Sequence, residues 1–328
     1  MRGEGREVDL KMIIDMTTPG AILLSSFMPA VLGLVLSYEY AGSIPFLPAL
    51  CLVLIPSLMN ASVDVLNDYF DYVSGNDTHE NVVSELDGPL AYNSVQNPKP
   101  AFYAGLGFML FSLVLGLYVI FRCGTKVLIV GLIGAVIAMT YSGFSKATSR
   151  MPVGEFLSGF TLGGLVPYGV FIALTGSASP VVLLKAVPMM MIVSQFMLSN
   201  NTCDLERDKA AGRLTLPMVI GRRAAARTAG IGLILWLALI CGILCVKYPF
   251  GLPWMGVWII LARSAIRQML GLLFWEPEHS DGGVPVCAMT HDNKTNATLM
   301  LTKIAFAVAF GYPGAVLMHV LIRQFLFP

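Results

Sequence analysis

Two stretches of this chain concentrate oxygen-bearing side chains at the ends of long apolar runs. One passes from Asp64 through Asn67, Asp68 and Asp71 to Asp77, the other from Asn200 through Asp204 to Asp208. Residues four apart on a helix lie one turn above another on the same face. Asn67 with Asp71, and Asn200 with Asp204 and Asp208, therefore form two columns of oxygen ligands, and Asp64 sits one turn deeper. Carboxylates at membrane depth are costly and face a cavity, a partner or an ion. A pair of hard cations is the simplest common explanation, since magnesium takes oxygen ligands and is held by one or two carboxylates plus substrate phosphates. Carboxylates solvated among lipid headgroups account for one such column more readily than for two. The columns alone would repel a diphosphate, so positive side chains must compensate. Lys146, Arg150, Arg207, Lys209 and Arg213 are placed to do so.

The elements that carry these columns are membrane spans. Of the 328 residues 56% are hydrophobic and 12% charged, against about 25% charged in soluble domains. Apolar runs near the roughly 20 residues a bilayer requires begin near Pro19, Ile44, Pro100, Val127, Gly154, Val181, Thr228, Phe250 and Leu299. Stretches such as 106–120 have no polar face of the kind a soluble helix presents. The expected architecture is an all-α membrane protein of about nine transmembrane helices, forming one domain over 1–328. The columns end the second and sixth spans, as two four-helix pseudo-repeats with a site at their interface would place them.

Most of the 21 lysines and arginines fall on the side that also holds the N-terminus and both columns, which the positive-inside tendency makes cytoplasmic. A net charge of +1 gives no global field for nucleic acid. The six cysteines form no CxxC pair and read as small buried hydrophobes. No cleaved signal peptide is expected. The sequon at Asn296 lies on the cytoplasmic side and is disregarded, and His79 and His291 receive no role.

The pattern Asn-Asp-Tyr-Phe-Asp-Tyr-x-x-Gly-x-Asp at 67–77 and Asn-Asn-x-x-Asp-x-x-x-Asp at 200–208 resembles the two aspartate-rich motifs of the UbiA superfamily of intramembrane prenyltransferases. The likeness extends through Gly-Arg-Leu-Thr-Leu-Pro at 212–217 and through Tyr141, Ser142, Lys146 and Glu155. Gly75 and Asp77 make it most similar to the branch acting on 1,4-dihydroxy-2-naphthoate. It departs where Thr17-Thr18-Pro19 replaces the Arg-Pro that commonly opens the first span, and at Asp87, where related chains often have Arg.

The resemblance implies a polyprenyl diphosphate donor, an aromatic acceptor and Mg2+ held by Asn67, Asp71, Asn200, Asp204 and Asp208. It implies that Lys146, Arg207 and Arg213 contact the diphosphate, and that Asp68, Asp71, Asp77, Lys146 and Tyr141 belong to the catalytic set. It also implies that dihydroxynaphthoate loses carbon dioxide to give a demethylmenaquinone. Other acceptors (4-hydroxybenzoate, a tetrapyrrole or a glyceryl phosphate) and a membrane terpene cyclase share the metal columns. A cation transporter is the alternative of another class, although its acids would lie nearer mid-membrane than all of these but Asp64.

Overall fold

The computed structural model describes residues 6–80, 82, 84–85, 88–142, 148, 151–210, 212–276 and 288–327; for 138, 139, 141 and 142 it describes the helical backbone. Every regular element among the described residues is helical. In chain order the principal helices are α1 (Leu10–Met16), α2 (Pro19–Ala41), α3 (Phe46–Val73), α4 (Lys99–Cys123), α5 (Lys126–Ser142) and α6 (Gly154–Thr175). They continue with α7 (Pro180–Cys203), α8 (Leu205–Ala210), α9 (Arg222–Lys247), α10 (Pro249–Gly271) and α11 (Lys294–Leu326).

Among the described residues eight helices are long and apolar enough to cross a membrane, and the 17-residue α5 is a shorter apolar helix beside them. The chain is thus a multi-pass membrane protein. Two spans begin earlier than their hydropathy indicates, α9 at Arg222 rather than near Thr228 and α11 at Lys294 rather than near Leu299. Arg and Lys form helix nearly as well as Leu, so charge ends the apolar run without ending the helix.

Segregation of side chains follows lipid contact. α4 turns Leu110, Phe111, Leu113, Val114, Leu117 and Phe121 outward, a surface suited to hydrocarbon, with backbone polarity satisfied inside the helix. Its polar contacts go to α3, where Ser62 Oγ donates to the Gly105 carbonyl at 2.7 Å and Ser112 Oγ to that of Ile55 at 3.1 Å. α11 is central instead: Ile304, Val308, Tyr312 and Val316 are buried in the cluster that includes Met189 and Val193 of α7 and Leu233 and Trp236 of α9.

Spans one and five share a local distortion. α2 widens to a π turn at Leu23–Phe27 and α6 at Gly159–Leu165, each followed by a proline, Pro29 and Pro167. These are the first helices of the two four-span units, so the pair supports the internal repeat. They meet where Gly33 lies against Pro167 and Val170. A Cβ on Gly163 would come within 2.4 Å of the Met190 nitrogen, so the close crossing of α6 and α7 requires glycine there.

At one end of the bundle Asp9 caps α1, its carboxylate accepting from the Met12 N–H at 2.7 Å. Met12 and Met16 then pack with Val65, Leu90 and Ala101. The N-terminal segment is thereby fixed beside the end of α3 that carries the first aspartate motif.

Candidate functional site

α3 continues unbroken to Val73, which keeps Asn67 and Asp71 one turn apart, with the half-buried Asp68 between them. Asn67 Nδ2 donates to Asp71 at 3.1 Å. Gly75, at φ +74°, takes the left-handed conformation that ends many helices. The chain folds back there, so Asn76 Nδ2 donates to the other Asp71 oxygen at 3.0 Å and the Asp77 N–H to the Asp71 carbonyl at 3.1 Å. Asp71 and Asp77 are both buried.

The second column corrects the expectation of one continuous helix. α7 stops at Cys203, Asp204 is its C-cap, and α8 starts afresh at Leu205. The four-residue spacing survives the break. The Asp204 N–H donates to the carbonyl of Asn200 at 3.0 Å, and the Asp208 N–H to that of Asp204 at 2.8 Å. Asp208 is only 2% exposed. Burial pushes its carboxyl above the ordinary range, and Arg213 partly offsets this.

Two arginines join the motifs. Arg213 Nη1 donates to Asp208 at 3.2 Å, while its other terminal nitrogen lies 3.8 Å from Asp71. Arg207 is ion-paired to Asp77. Residues of α3 and of the segment after α7 thus share one charge cluster. Asp204 is held from a third direction, by His291 Nδ1 at 3.2 Å and Lys294 Nζ at 2.7 Å.

Sequence reasoning gave His291 no role and left Lys294 out of the site. The position of Lys294 at the start of the last span is the available signal. Glu155 is also more than a family landmark. Its Oε1 accepts from Asn201 Nδ2 at 2.8 Å and from the Leu216 N–H at 3.2 Å, tying the start of α6 to the second motif. Lys146, Arg150 and the side chain of Tyr141 lie outside the described residues.

The donor chemistry fits magnesium: Asn67, Asp71, Asn200, Asp204 and Asp208 offer only hard oxygen ligands of their side chains' acceptor atoms. Among the described residues no three His, Cys, Asp or Glu side chains form a group able to hold a metal ion.

Residues 26–282 match the UbiA prenyltransferase family. The 1,4-dihydroxy-2-naphthoate octaprenyltransferase of Bacillus subtilis (strain 168) is 28% identical over 228 residues, 68% of this chain and 72% of that protein. The UbiA prenyltransferase domain-containing protein 1 of Danio rerio is 25% identical over 60% of this chain and 58% of its own length. In fold, a UbiA homolog from Archaeoglobus fulgidus bound to GPP and Mg2+ superposes with a TM-score of 0.54 at 16% identity, over 91% of this chain and 99% of that one. A digeranylgeranylglyceryl phosphate synthase structure gives 0.58 at 19% identity, over 94% and 98%. With both motifs inside the matched span and drawn into one cluster, the chain belongs to the UbiA prenyltransferase family and is a membrane-embedded prenyltransferase.

Proposed function

We propose that the protein transfers a polyprenyl group from its diphosphate to 1,4-dihydroxy-2-naphthoate, releasing carbon dioxide and diphosphate to give a demethylmenaquinol, the reduced form of a demethylmenaquinone, with the site facing the cytoplasm. The observation that carries the reading is Arg213, which spans Asp71 of the first motif and Asp208 of the second. A diphosphate is the ligand that needs two acidic columns and a guanidinium at one place. The acceptor is supported by similarity to the Bacillus subtilis enzyme, and the orientation by the positive residues around the site.

Asn67 and Asp71, with Asn200, Asp204 and Asp208, would hold magnesium, which when bound would supply positive charge to stabilise the departing diphosphate. Arg213 and Arg207 sit among these acids and add fixed cationic donors whose strength grows as water is excluded. Lys294, now on Asp204, is a third such cation. Asp77 orients Arg207, and Asn76 with Gly75 fixes the Asp71 oxygens. The apolar bundle shields the allylic cation from water until the electron-rich ring attacks. Lys146 joins the diphosphate contacts, and Asp68 and Tyr141 complete the catalytic set.

Membranes carrying the protein, given geranylgeranyl diphosphate, magnesium and dihydroxynaphthoate, are expected to yield a prenylated, decarboxylated naphthoquinol, read by mass spectrometry as the quinone after air oxidation. Asp71→Ala and Asp204→Ala should each abolish it. Donor cleavage without this product would leave the diphosphate site standing and reject the acceptor; no cleavage with any aromatic acceptor would reject the reading.

A further inference from the structure

Asp64 lies within α3 and inside the bilayer-spanning length of that helix. It has no ion pair among the described residues. Its one hydrogen bond there is from Thr18 Oγ1 to Oδ2, at 3.1 Å. A carboxylate at this depth without a cation is costly, and such groups face an ion, a relay or a ligand. Its surroundings are polar for more than one turn. Asn60, one turn deeper on the same face, donates to Ser25 Oγ at 2.9 Å. Thr18 and Ser25 are seven residues apart on the opposing strand of chain, and Ser25 belongs to the π turn of α2. Thr18 itself is held at φ +42°, a left-handed conformation that a β-branched residue adopts only where its surroundings impose it.

The stripe Asn60, Asp64, Asn67, Asp71 follows helical spacing, so the polar seam leads inward from the first metal column. Seven residues separate Asp64 from Asp71, a rise of about 10 Å along the helix, comparable with the length of a hydroxylated bicyclic ring. With one oxygen occupied by Thr18, Asp64 offers an acceptor for a single donor. That suits a neutral hydroxyl rather than a cation, which requires several oxygens at once.

We propose that Asp64 is a catalytic residue for the acceptor, binding the hydroxyl next to the reacting carbon and taking its proton; this rests on the function proposed above. The C–O bond to diphosphate breaks first, its electron pair leaving on diphosphate, and the reacting carbon then bonds to the allylic cation. The hydroxyl proton passes to Asp64 and the ring oxygen becomes a ketone. Loss of the neighbouring carboxylate as carbon dioxide returns its electron pair to the ring, and Asp64 gives the proton back to the oxygen. Thr18 positions the carboxylate.

The test uses the full chain in lipid vesicles with geranylgeranyl diphosphate, magnesium and dihydroxynaphthoate. Asp64→Asn keeps an oxygen for Thr18 but cannot take a proton. Its kcat is expected to fall about 100-fold, the lower range for a lost general base, with magnesium-dependent donor affinity within about threefold of wild type. Thr18→Val, which keeps the carboxylate, is expected to raise the acceptor KM several-fold with donor affinity unchanged. Wild-type activity in Asp64→Asn, or loss of donor affinity along with turnover, would overturn the assignment while leaving the prenyl transfer intact. A wild-type protein that binds no donor would overturn both.

Discussion

The two aspartate motifs share a four-residue step from Asn to Asp but are built differently. In the first, one continuous helix and the turn after it supply nearly everything: Asn67 and Asn76 both donate to Asp71, and Gly75 closes the helix. In the second, the helix breaks at Asp204, and the acids are fixed by residues from elsewhere. Lys294 and His291 come from the start of the last span, Arg213 from beyond α8, and Glu155 reaches in through Asn201. The first column is pre-formed by local sequence, whereas the second is assembled by tertiary structure. An assembled site responds to changes at a distance.

The largest effect is expected where the two designs meet. Arg213→Ala removes a side chain that reaches both columns and leaves Asp208 buried without its ion pair. Breaking a buried pair costs about 3 kcal/mol or more, which thermal unfolding in detergent will register. Donor turnover is expected to drop on the order of 100-fold or more, as when one preorganised donor is lost. Arg213→Lys should recover little, since one ammonium cannot reach both carboxylates as a planar guanidinium does.

A smaller effect separates the motifs directly. Lys294→Met takes the cation from Asp204 and is expected to weaken donor binding about 10-fold, a loss of about 1.4 kcal/mol. Combined with Asp204→Asn it should be strongly non-additive, because residues in contact couple by about 0.5–3 kcal/mol. The matching change in the first motif, Asn76→Ala, should matter less because Asn67 still holds Asp71. Equal losses from Lys294→Met and Asn76→Ala would break the contrast between assembled and pre-formed columns.

This contrast also explains what could be read from the chain before its fold. The spans are legible because length and hydropathy act locally, and Asn67 with Asp71 because a helix turns four-residue spacing into adjacency. The break at Asp204 is hidden: Asn200, Asp204 and Asp208 keep helical spacing, and no proline or glycine marks the interruption. The pairings of Arg207 with Asp77 and Lys294 with Asp204 join residues far apart in sequence, and nothing in their local pattern specifies them. The π turns left a faint trace in Pro29 and Pro167, which delete helical hydrogen bonds nearby.

Glycines after each motif test whether the likeness ends at spacing. Gly75 follows Asp71 by four residues at φ +74°, and Gly212 follows Asp208 by four at φ +66°. A Cβ at either would meet nothing within 4 Å, so alanine there carries the backbone penalty alone, about 1–2 kcal/mol. Both variants should lose similar stability in thermal unfolding. Only Gly75→Ala should also shift the donor KM, because that turn directs Asn76 onto Asp71, whereas Asp208 remains fixed by Arg213 and Thr215.

His291 provides the smallest and most discriminating case. Its ring nitrogen is 3.2 Å from one Asp204 oxygen, while Lys294 already occupies the other at the shorter distance of 2.7 Å. Its side chain is 29% exposed, so water can replace the contact when it is removed. A single hydrogen bond of this kind contributes about 0.5 kcal/mol at the low end of the usual range, and His291→Ala is expected to change donor affinity about twofold. A loss approaching that of Lys294→Met would mean that the ring contacts the substrate as well as Asp204. The last span would then contribute to the diphosphate site itself, beyond holding the second column in place.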